Sequence, residues 1–386
     1  MTTHAAVAII GGGVMGASIA YHLARSGVDD VIIVDRAHGP GAGSTGRATG
    51  GFRVQFASAI NVQLSIKSRN ALLRFEEETG VDPGYQQVGY LFLASDDGQL
   101  DSLSAANRVQ RDNGVKEAQV IEPGEISALN PFIVAHDVIG GTFCSIDGYI
   151  KPLEILRGYL ESAERMGVRF LWDTECVGLT RIGDRVTSVE TTKGSTSVDH
   201  VVNAAGPWAA KIGAMAGVTL PVTPLRRQAA FTIPCPVIPP DMPMTIFMDN
   251  GFHIRARDGR ALIAWPGPEE PGEPDELKAD DAWIETVERM AYERVPVLRD
   301  FPVDRSLSYA GLYEMSPDHH VILGASPTCD NVFFANGSSG HGVMHSPAIG
   351  EIIADMILGK EPQLDVSMLR PSRFDEGEPV TPAEFL

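Results

Sequence analysis

Residues 5–36 read AAVAIIGGGVMGASIAYHLARSGVDDVIIVDR, and this stretch decides the fold. Its first six residues are all apolar, which is typical of a strand buried on both faces of a parallel sheet. Three glycines follow, and then a helical pattern runs from Val14 to Arg25 and ends at Gly27. A second apolar run, Val31–Val34, comes next. Strand, glycine turn, helix and strand within about 30 residues predict a βαβ unit.

The glycine spacing in this unit, Gly11-x-Gly13-x-x-Gly16, indicates a dinucleotide site. Gly11 permits a tight turn, Gly13 lets a diphosphate approach the backbone, and Gly16 lets helix and strand pack closely. The amides of the first helical turn, with Val14 and Met15, would bind the diphosphate because the helix N-terminus favours anions.

An acidic residue at the end of the second predicted strand completes the fingerprint. Asp35 is placed to accept hydrogen bonds from ribose hydroxyls, and Arg36 follows it. The pattern predicts nucleotide binding but does not separate NAD from FAD.

Composition excludes some classes of partner. The chain has 386 residues, 44% hydrophobic and 21% charged, with a formal net charge of −19. A surface of that sign repels phosphate backbones, so we expect no nucleic-acid partner. The 5–24 stretch is apolar, but its glycines and polar residues favour strand–turn–helix over a membrane span. The start lacks a signal-peptide pattern, so we expect a cytoplasmic protein.

The four cysteines, Cys144, Cys176, Cys235 and Cys329, lie far apart in the sequence. None has a neighbour at metal-ligand spacing, and no metal site is predicted. Buried, reduced thiols are the expected state.

Two types of segment, which differ in amino-acid composition, alternate along the chain. Glycine-rich blocks typical of parallel sheets cover 1–85, 145–220 and 303–372, whereas 86–144 and 221–302 differ, the latter being proline-rich with a predicted acidic loop at 266–276. We predict an α/β (α+β) protein: a Rossmann-like FAD-binding domain from the first three segments, a substrate domain with a large mixed or antiparallel sheet from the other two, and a tail at 373–386. Short strands are expected after 303, with a last helix from about 346 to 358.

Four segments in this order resemble the D-amino-acid oxidase/sarcosine oxidase (DAO) family of FAD-dependent enzymes. They are the fingerprint with its acidic residue, the loop GSTGRATG at 43–50, VNAAGPW at 202–208, and the region from GLY at 311–313 to SGHGVMHSPA at 339–348. The last segment is most similar to the sarcosine oxidase β-subunit, glycine oxidase and dye-linked proline dehydrogenase members.

The resemblance implies which further residues contact FAD. The loop 43–50 would pass along flavin and phosphates, Val177 would meet the adenine side through its backbone, and a glycine loop before the last helix would face the flavin pyrimidine edge. The implied cofactor residues beyond the fingerprint are Ser44, Thr45, Arg47, Ala48, Thr49, Gly50, Val177, Ala205, Gly206, Trp208, Gly311, Gly340, His341, Gly342, Val343 and Met344.

The resemblance also implies which residues face the substrate. Arg53 matches an arginine near flavin and substrate carboxylate, and His253 lies on the strand that carries a substrate-facing tyrosine. Tyr313 stands where related oxidases carry a carboxylate-binding arginine, which disfavours a plain D-amino acid. His341 and His345 flank a loop glycine and complete the catalytic candidates.

Three departures from the sarcosine oxidases bear on the electron acceptor and on flavin attachment. Leu262 and Met344 stand where those enzymes carry lysines, one of which activates oxygen, so a dehydrogenase is favoured over an oxidase. Gly311 replaces the cysteine that bonds to flavin, so non-covalent FAD is expected.

The leading interpretation is oxidation of the C–N bond of a secondary or N-methylated amine or amino acid, such as sarcosine, proline or glycine, to an imine. The alternatives are a 2-hydroxy-acid dehydrogenase, a flavin subunit of a larger amine-oxidising complex, and an NAD-dependent enzyme. The electron acceptor (oxygen, a quinone or a partner subunit) stays open, as does homo- or hetero-oligomerisation.

Overall fold

The computed structural model describes residues 3–269, 271–272 and 277–380. Its strands are β1 (Thr3–Ile10), β2 (Val31–Val34), β3 (Gly51–Phe52), β4 (Tyr90–Ala94), β5 (Ala118–Ile121), β6 (Gly140–Cys144), β7 (Gly148–Tyr149), β8 (Arg169–Leu171), β9 (Cys176–Ile182), β10 (Arg185–Thr191), β11 (Gly194–Asn203), β12 (Thr223–Thr232), β13 (Met244–Phe247), β14 (His253–Arg257), β15 (Arg260–Ala264), β16 (Val303–Met315), β17 (Ile322–Ala325) and β18 (Val332–Asn336). Its helices are α1 (Val14–Arg25), α2 (Ala59–Leu72), α3 (Phe75–Thr79), α4 (Asp97–Asp112), α5 (Pro123–Leu129), α6 (Pro152–Arg165), α7 (Ala209–Met215), α8 (Asp281–Arg294) and α9 (Gly342–Ile357).

The first sheet carries the predicted βαβ unit. Its strand order is β17-β18-β11-β1-β2-β8, with β9 and β10 added as a meander on β11. The pairs from β18 through β11, β1 and β2 to β8 are parallel. Successive residues of β1 enter cores on opposite faces, Val7 and Ile9 on one and Ala8 and Ile10 on the other. That is why the strand is apolar throughout.

The second sheet has the order β16-β12-β15-β14-β13-β4-β6-β5. Its pairs are antiparallel except for the parallel pair β13–β4. Helix α8 packs on one face and α4 on the other. The predicted mixed α/β class with two sheets built from separate segments is therefore confirmed.

The prediction of short strands after residue 303 is wrong for β16, which has 13 residues. It stays extended because it pairs along nearly the whole of β12. It joins the second sheet, although 303–372 is predicted to belong to the FAD-binding domain; the domain boundaries themselves stay a prediction. Likewise, Arg373 at the start of the predicted tail is buried against Asp318 at 2.8 Å.

The last helix begins at Gly342, four residues before the predicted start near 346, and contains Pro347. A proline inside a helix leaves the carbonyl four residues earlier without its amide partner. Here the Ser346 hydroxyl donates to the Val343 carbonyl at 2.9 Å and replaces that partner. The predicted glycine loop at 337–342 therefore leads directly into the N-terminus of α9.

All four cysteines are buried and free, as predicted. Among the described residues, no helix is both long and apolar enough to cross a membrane. The cytoplasmic location stays a prediction. The predicted acidic loop at 266–276 lies partly outside the described residues.

Candidate functional site

A cavity of about 780 Å³ lies where the carboxyl ends of β1, β2 and β11 meet one face of the second sheet. Most predicted site residues line this cavity: Gly11, Gly13, Val14, Met15, Asp35, Arg36, Ser44, Thr45, Arg47, Ala48, Thr49, Gly50, Ala205, Gly206, Trp208, His253, Gly311, Tyr313, Gly340, His341, Gly342, Val343 and Met344. Two groups of residues form most of the lining of this cavity. We call residues 11–16, 43–50 and 340–344 the glycine cradle, and the cavity-facing residues of β12, β14, β15 and β16 the sheet wall.

The turn before α1 shows why glycine is needed there. Gly11 has φ +112°, and a Cβ on it would lie 2.2 Å from the Ala204 carbonyl oxygen. A Cβ on Gly16 would lie 1.9 Å from the Gly11 carbonyl oxygen. Helix and strand therefore approach as closely as the fingerprint predicts, and Gly13 places no side chain between the first turn of α1 and the cavity.

The acidic end of β2 is held by backbone amides. Asp35 accepts hydrogen bonds from Gly12 N at 2.6 Å and from Ala37 N at 2.8 Å. Each carboxylate oxygen keeps a further lone pair for a ribose hydroxyl. Beside it, the Arg36 guanidinium lies 4.7 Å from the centre of the Trp208 ring, a cation–π contact on the same wall.

The loop 43–50 is held by contacts from α1 and from strands of the second sheet. Thr45 Oγ1 accepts from Val14 N at 3.1 Å, and Ser44 Oγ donates to the Leu312 carbonyl at 2.7 Å. From β14, Arg255 donates to the carbonyls of Thr49 and Gly50, each at 2.7 Å. These contacts engage side-chain hydroxyls and carbonyl oxygens of the loop and so orient it without using its amides.

The approach to α9 depends on another glycine. Gly340 has φ +91°, and a Cβ there would lie 2.5 Å from the Tyr313 ring. Tyr313 thus packs directly on the loop that opens α9, and both line the cavity. Burial raises the pKa of Tyr313 above its ordinary value, although Arg227 and Arg53 oppose the shift, so the phenol is neutral at pH 7.

Arg53 lies behind this loop and does not line the cavity. Its Nη2 donates to Nε2 of His341 at 3.0 Å, and its guanidinium lies 4.4 Å from the Phe56 ring centre. Since arginine only donates, the neutral His341 ring carries its proton on Nδ1. Burial lowers the pKa of Arg53 from its very high ordinary value. The loop that precedes α9 therefore contacts a buried cation, Arg53, through His341.

His253 lies on the sheet wall with a defined tautomer. Its Nδ1 lies 3.0 Å from the Gly251 carbonyl oxygen, which only accepts, so Nδ1 carries the proton. Nε2 of the neutral ring then has a free lone pair. Burial lowers the pKa of His253, the Gly251 carbonyl raises it, and the Arg53 charge lowers it again; the result is a lowered pKa and a neutral ring at pH 7.

Three other predicted residues lie outside the lining. Gly16 packs inside the turn, and Val177 is exposed, although its neighbours Glu175 and Cys176 line the cavity. His345 is buried, with Nε2 2.8 Å from Ser65 Oγ. Burial, aided by the Arg53 charge, lowers the pKa of His345 to about 3, so this ring is neutral as well.

Several lining residues were not predicted, among them Arg227, Trp265, Tyr309 and Glu314. Arg227 was missed because the proline-rich sequence of 221–302 does not show where β12 begins. With the correct start, the alternation of a strand places Arg227 on the same face as Ala229. Trp265 and Tyr309 carry no comparable signal, since their positions depend on pairing between distant strands.

The comparisons with known proteins agree with this geometry. The family model described as DAO, FAD dependent oxidoreductase, matches residues 6–356. The chain belongs to the DAO family of FAD-dependent oxidoreductases. The predicted family and the predicted cofactor are thereby confirmed.

Individual relatives cover most of this family member. FAD-dependent oxidoreductase domain-containing protein 1 of Xenopus laevis is 32% identical, over 97% of this chain and 83% of its own length. Mitochondrial dimethylglycine dehydrogenase of Rattus norvegicus is 30% identical over 95% of this chain, which spans only 44% of that enzyme. The structure of L-proline dehydrogenase from P. horikoshii is 30% identical with a TM-score of 0.90, covering 98% of this chain and all of that one.

The cavity of this family member suits FAD by its own chemistry. The cradle offers the N-terminus of α1 to a diphosphate and that of α9 to the electron-rich edge of a flavin. Glu314 Oε2 and Ser338 Oγ line the cavity and are buried without a hydrogen-bond partner among the described residues. Burial raises the pKa of Glu314 to about 7, while the amides of Gly337 and Ser338 oppose the shift. Polar atoms of this kind need a polar ligand.

Proposed function

We propose that this DAO-family protein oxidises the C–N bond of a secondary or N-methylated amine or amino acid to an imine. Two relatives carry names that point to such substrates: dimethylglycine is an N-methylated amino acid, and L-proline is a cyclic secondary amine. The observation that carries the proposal is a neutral histidine with a free lone pair in the wall of the cavity that suits FAD.

The chemistry needs a proton acceptor and a hydride acceptor. Bound FAD supplies the second by taking two electrons and a hydrogen from the carbon next to nitrogen. An ammonium group must first lose a proton, because the nitrogen lone pair stabilises the positive charge that develops on that carbon. The resulting iminium then adds water and breaks into an amine and a carbonyl compound.

His253 is our candidate for the proton acceptor. Its Nδ1–H is bound to the Gly251 carbonyl, so the ring is oriented and only Nε2 can take the proton. Its lowered pKa keeps it unprotonated at neutral pH. A base must be unprotonated and within reach of its proton, and a wall position with this tautomer meets both requirements.

Arg53 and His341 have a positioning role in the proposal. The buried guanidinium holds His341, the residue that precedes α9, and adds positive charge beside the N-terminus of that helix. Positive potential there stabilises an electron-rich cofactor after reduction. His345 supports the same helix from Ser65.

We further propose that the enzyme is a dehydrogenase rather than an oxidase. Leu262 is fully buried and Met344 lines the cavity, so neither position supplies an ammonium group that would promote electron transfer to oxygen. Turnover should be slow with oxygen alone and at least about ten times faster with an artificial dye acceptor. Equal rates under both conditions would refute this part of the proposal.

Reduction of the bound flavin without oxygen tests the main proposal. Purified yellow protein is mixed anaerobically with sarcosine, N,N-dimethylglycine, L-proline, glycine and, in parallel, 2-hydroxy acids. We expect loss of the flavin absorbance with at least one amine and none with the hydroxy acids. Bleaching by hydroxy acids alone would support the alternative activity and overturn the amine assignment.

We also propose that FAD is bound without a covalent link, because Gly311 offers no side chain to form one. A Cβ at that position would lie 3.1 Å from Cβ of Arg47, so the side chain of Arg47 covers it. Acid precipitation should release all flavin into the supernatant. Flavin that stays with the precipitate would contradict the proposal.

A further inference from the structure

Arg227 lines the cavity on the sheet wall, whereas Arg53 lies behind the loop that precedes α9. Arg227 lies on β12, lines the cavity directly, and its side chain is 18% exposed. Of the described residues between 221 and 302, it is the only arginine or lysine in the cavity wall. Any negatively charged group that approaches the sheet wall therefore meets this one cation.

The strand register places Arg227 on the same face as His253. Ala229 pairs with Ala264, which pairs with His253, and residues paired in antiparallel strands point to the same side. Arg227 is two residues from Ala229 along β12 and so shares that face. The two backbones are two strands and two residues apart, about 12 Å, and a long arginine side chain shortens this gap.

The polar partners of Arg227 are few and weak. Nη1 donates to the Pro266 carbonyl at 3.3 Å, and Nη2 lies 3.6 Å from Oε1 of Glu269. The Glu269 side chain is 70% exposed, so water competes for it. Burial lowers the pKa of Arg227, while Tyr313 and Glu269 raise it in part. A guanidinium has five N–H donors. Among the described residues, only Pro266 and Glu269 engage the donors of Arg227, so most of them remain available to a ligand.

We propose that Arg227 binds the carboxylate of the substrate, and that this carboxylate takes the place of Glu269 on the guanidinium. The inference rests on the proposed function, since it specifies that the amine carries an acid group. An arginine fork matches a carboxylate with two parallel hydrogen bonds, which Glu269 at 3.6 Å does not make. In a protein of net charge −19, a local cation is needed to attract an anionic substrate.

Substitutions of Arg227 and of Glu269 should change the affinity for the substrate in opposite directions. Arg227→Gln removes the carboxylate site, so kcat/KM for an amino acid should fall about 100-fold. Glu269→Gln removes the competing anion, so KM for the same amino acid should fall a few-fold. Arg227→Lys keeps the charge but loses the fork and should lie between wild type and Arg227→Gln.

The test compares each acid with its amide: sarcosine with sarcosinamide, and L-proline with L-prolinamide. Wild type should prefer the acid, and Arg227→Gln should lose this preference because turnover of the acid falls much more than turnover of the amide. Arg226→Lys is the matched control, because that neighbour points to the other face and pairs with Asp280 at 2.6 Å. Equal losses for acid and amide in Arg227→Gln would overturn the proposal.

A binding measurement separates this inference from the proposed function. Acetate titrated into the yellow protein should perturb the flavin absorbance, with a Kd at least about 10-fold higher in Arg227→Gln and lower in Glu269→Gln. If no amine reduces wild type but acetate follows this pattern, the proposed function fails and the anion site stands. If acetate binds all variants equally, the anion site fails whatever the amines do.

Discussion

The glycine cradle and the sheet wall offer different chemical groups to a ligand. The cradle uses backbone: the turn at Gly11, the carbonyl-anchored loop at 43–50 and the N-termini of α1 and α9. The sheet wall uses side chains: His253, Arg227 and Tyr313 from three strands far apart in the sequence. A diphosphate suits the first because backbone amides are always present, whereas substrate selectivity needs side chains that vary.

This difference predicts which of the two regions tolerates substitutions. Three cradle glycines, Gly11, Gly16 and Gly46, are limited by contacts of about 2 Å that a Cβ would make with a carbonyl oxygen, so substitutions there disrupt the turn itself. A sheet-wall position can change its side chain while the strand pairing stays. We therefore expect cradle variants to lose FAD and wall variants to keep FAD but change their chemistry.

The largest effect is expected for Gly11→Ala in the cradle. The new Cβ would meet the Ala204 carbonyl at 2.2 Å with φ at +112°, so the turn must move. FAD affinity should fall more than about 1000-fold, equivalent to ~4 kcal/mol, and the protein should purify colourless. Gly124→Ala in α5, where a Cβ meets nothing within 4 Å, is the control and should stay yellow. A yellow Gly11→Ala protein would break the distinction between the two regions.

His253→Gln in the sheet wall should keep FAD but lose chemistry. The rate of flavin reduction should fall about 100-fold, or ~3 kcal/mol, because glutamine does not accept a proton. In wild type the rate should fall as pH drops through the lowered pKa of His253; the variant should lack this acidic limb. Exposed His136 serves as the control, since His136→Gln should change neither rate nor pH profile. An unchanged acidic limb in His253→Gln would assign the base to another group.

A smaller effect is expected for the stability of the protein when Asp147, a buried residue outside both regions, is replaced. It accepts from Val54 N at 2.6 Å and Gln55 Nε2 at 2.9 Å, and burial raises its pKa from 3.8 to about 7. The folded state then holds this proton more tightly than the unfolded state. Stability contributed by this group is therefore full below about pH 4 and is lost as pH rises to about 7.

In Asp147→Asn, the change in the free energy of unfolding between pH 5 and 8 should be smaller than in wild type by at least about 1 kcal/mol. Urea unfolding of the FAD-saturated protein at each pH measures it. Glu314 has a pKa raised to about 7 as well and should leave a residual slope of the same sign. Asp101→Asn, at an exposed position, should leave the slope of wild type. An undiminished slope in Asp147→Asn would show that this carboxyl does not titrate in that range.

The smallest effect is expected for a side chain that lines the cavity next to the cradle. Arg36 lies over Trp208 at 4.7 Å, and an exposed cation–π contact contributes about 0.5–1 kcal/mol. Arg36→Met should weaken FAD binding only a few-fold in a titration followed by flavin fluorescence. A loss as large as that of Gly11→Ala would mean that side chains matter as much as backbone in this region.

Much of the cradle was predictable because its geometry is local. The helix Val14–Arg25 has the bounds that the pattern predicts, and Gly11 and Gly16 each meet a close contact that requires glycine. The start of α9 was misplaced because the proline at 347 is tolerated only through the Ser346 hydroxyl, a contact that a sequence pattern does not display.

From the sequence alone, short-range spacing and backbone sterics specified the βαβ unit, and the resemblance of four segments to the DAO family indicated FAD. Only the tertiary structure decided that Arg53 lies buried behind His341 while Arg227 lines the cavity. The physical reason is register: which side chains share a face depends on the pairing of β12, β14, β15 and β16, whose partners lie up to about 90 residues apart. A pattern within one segment contains no information about such pairing.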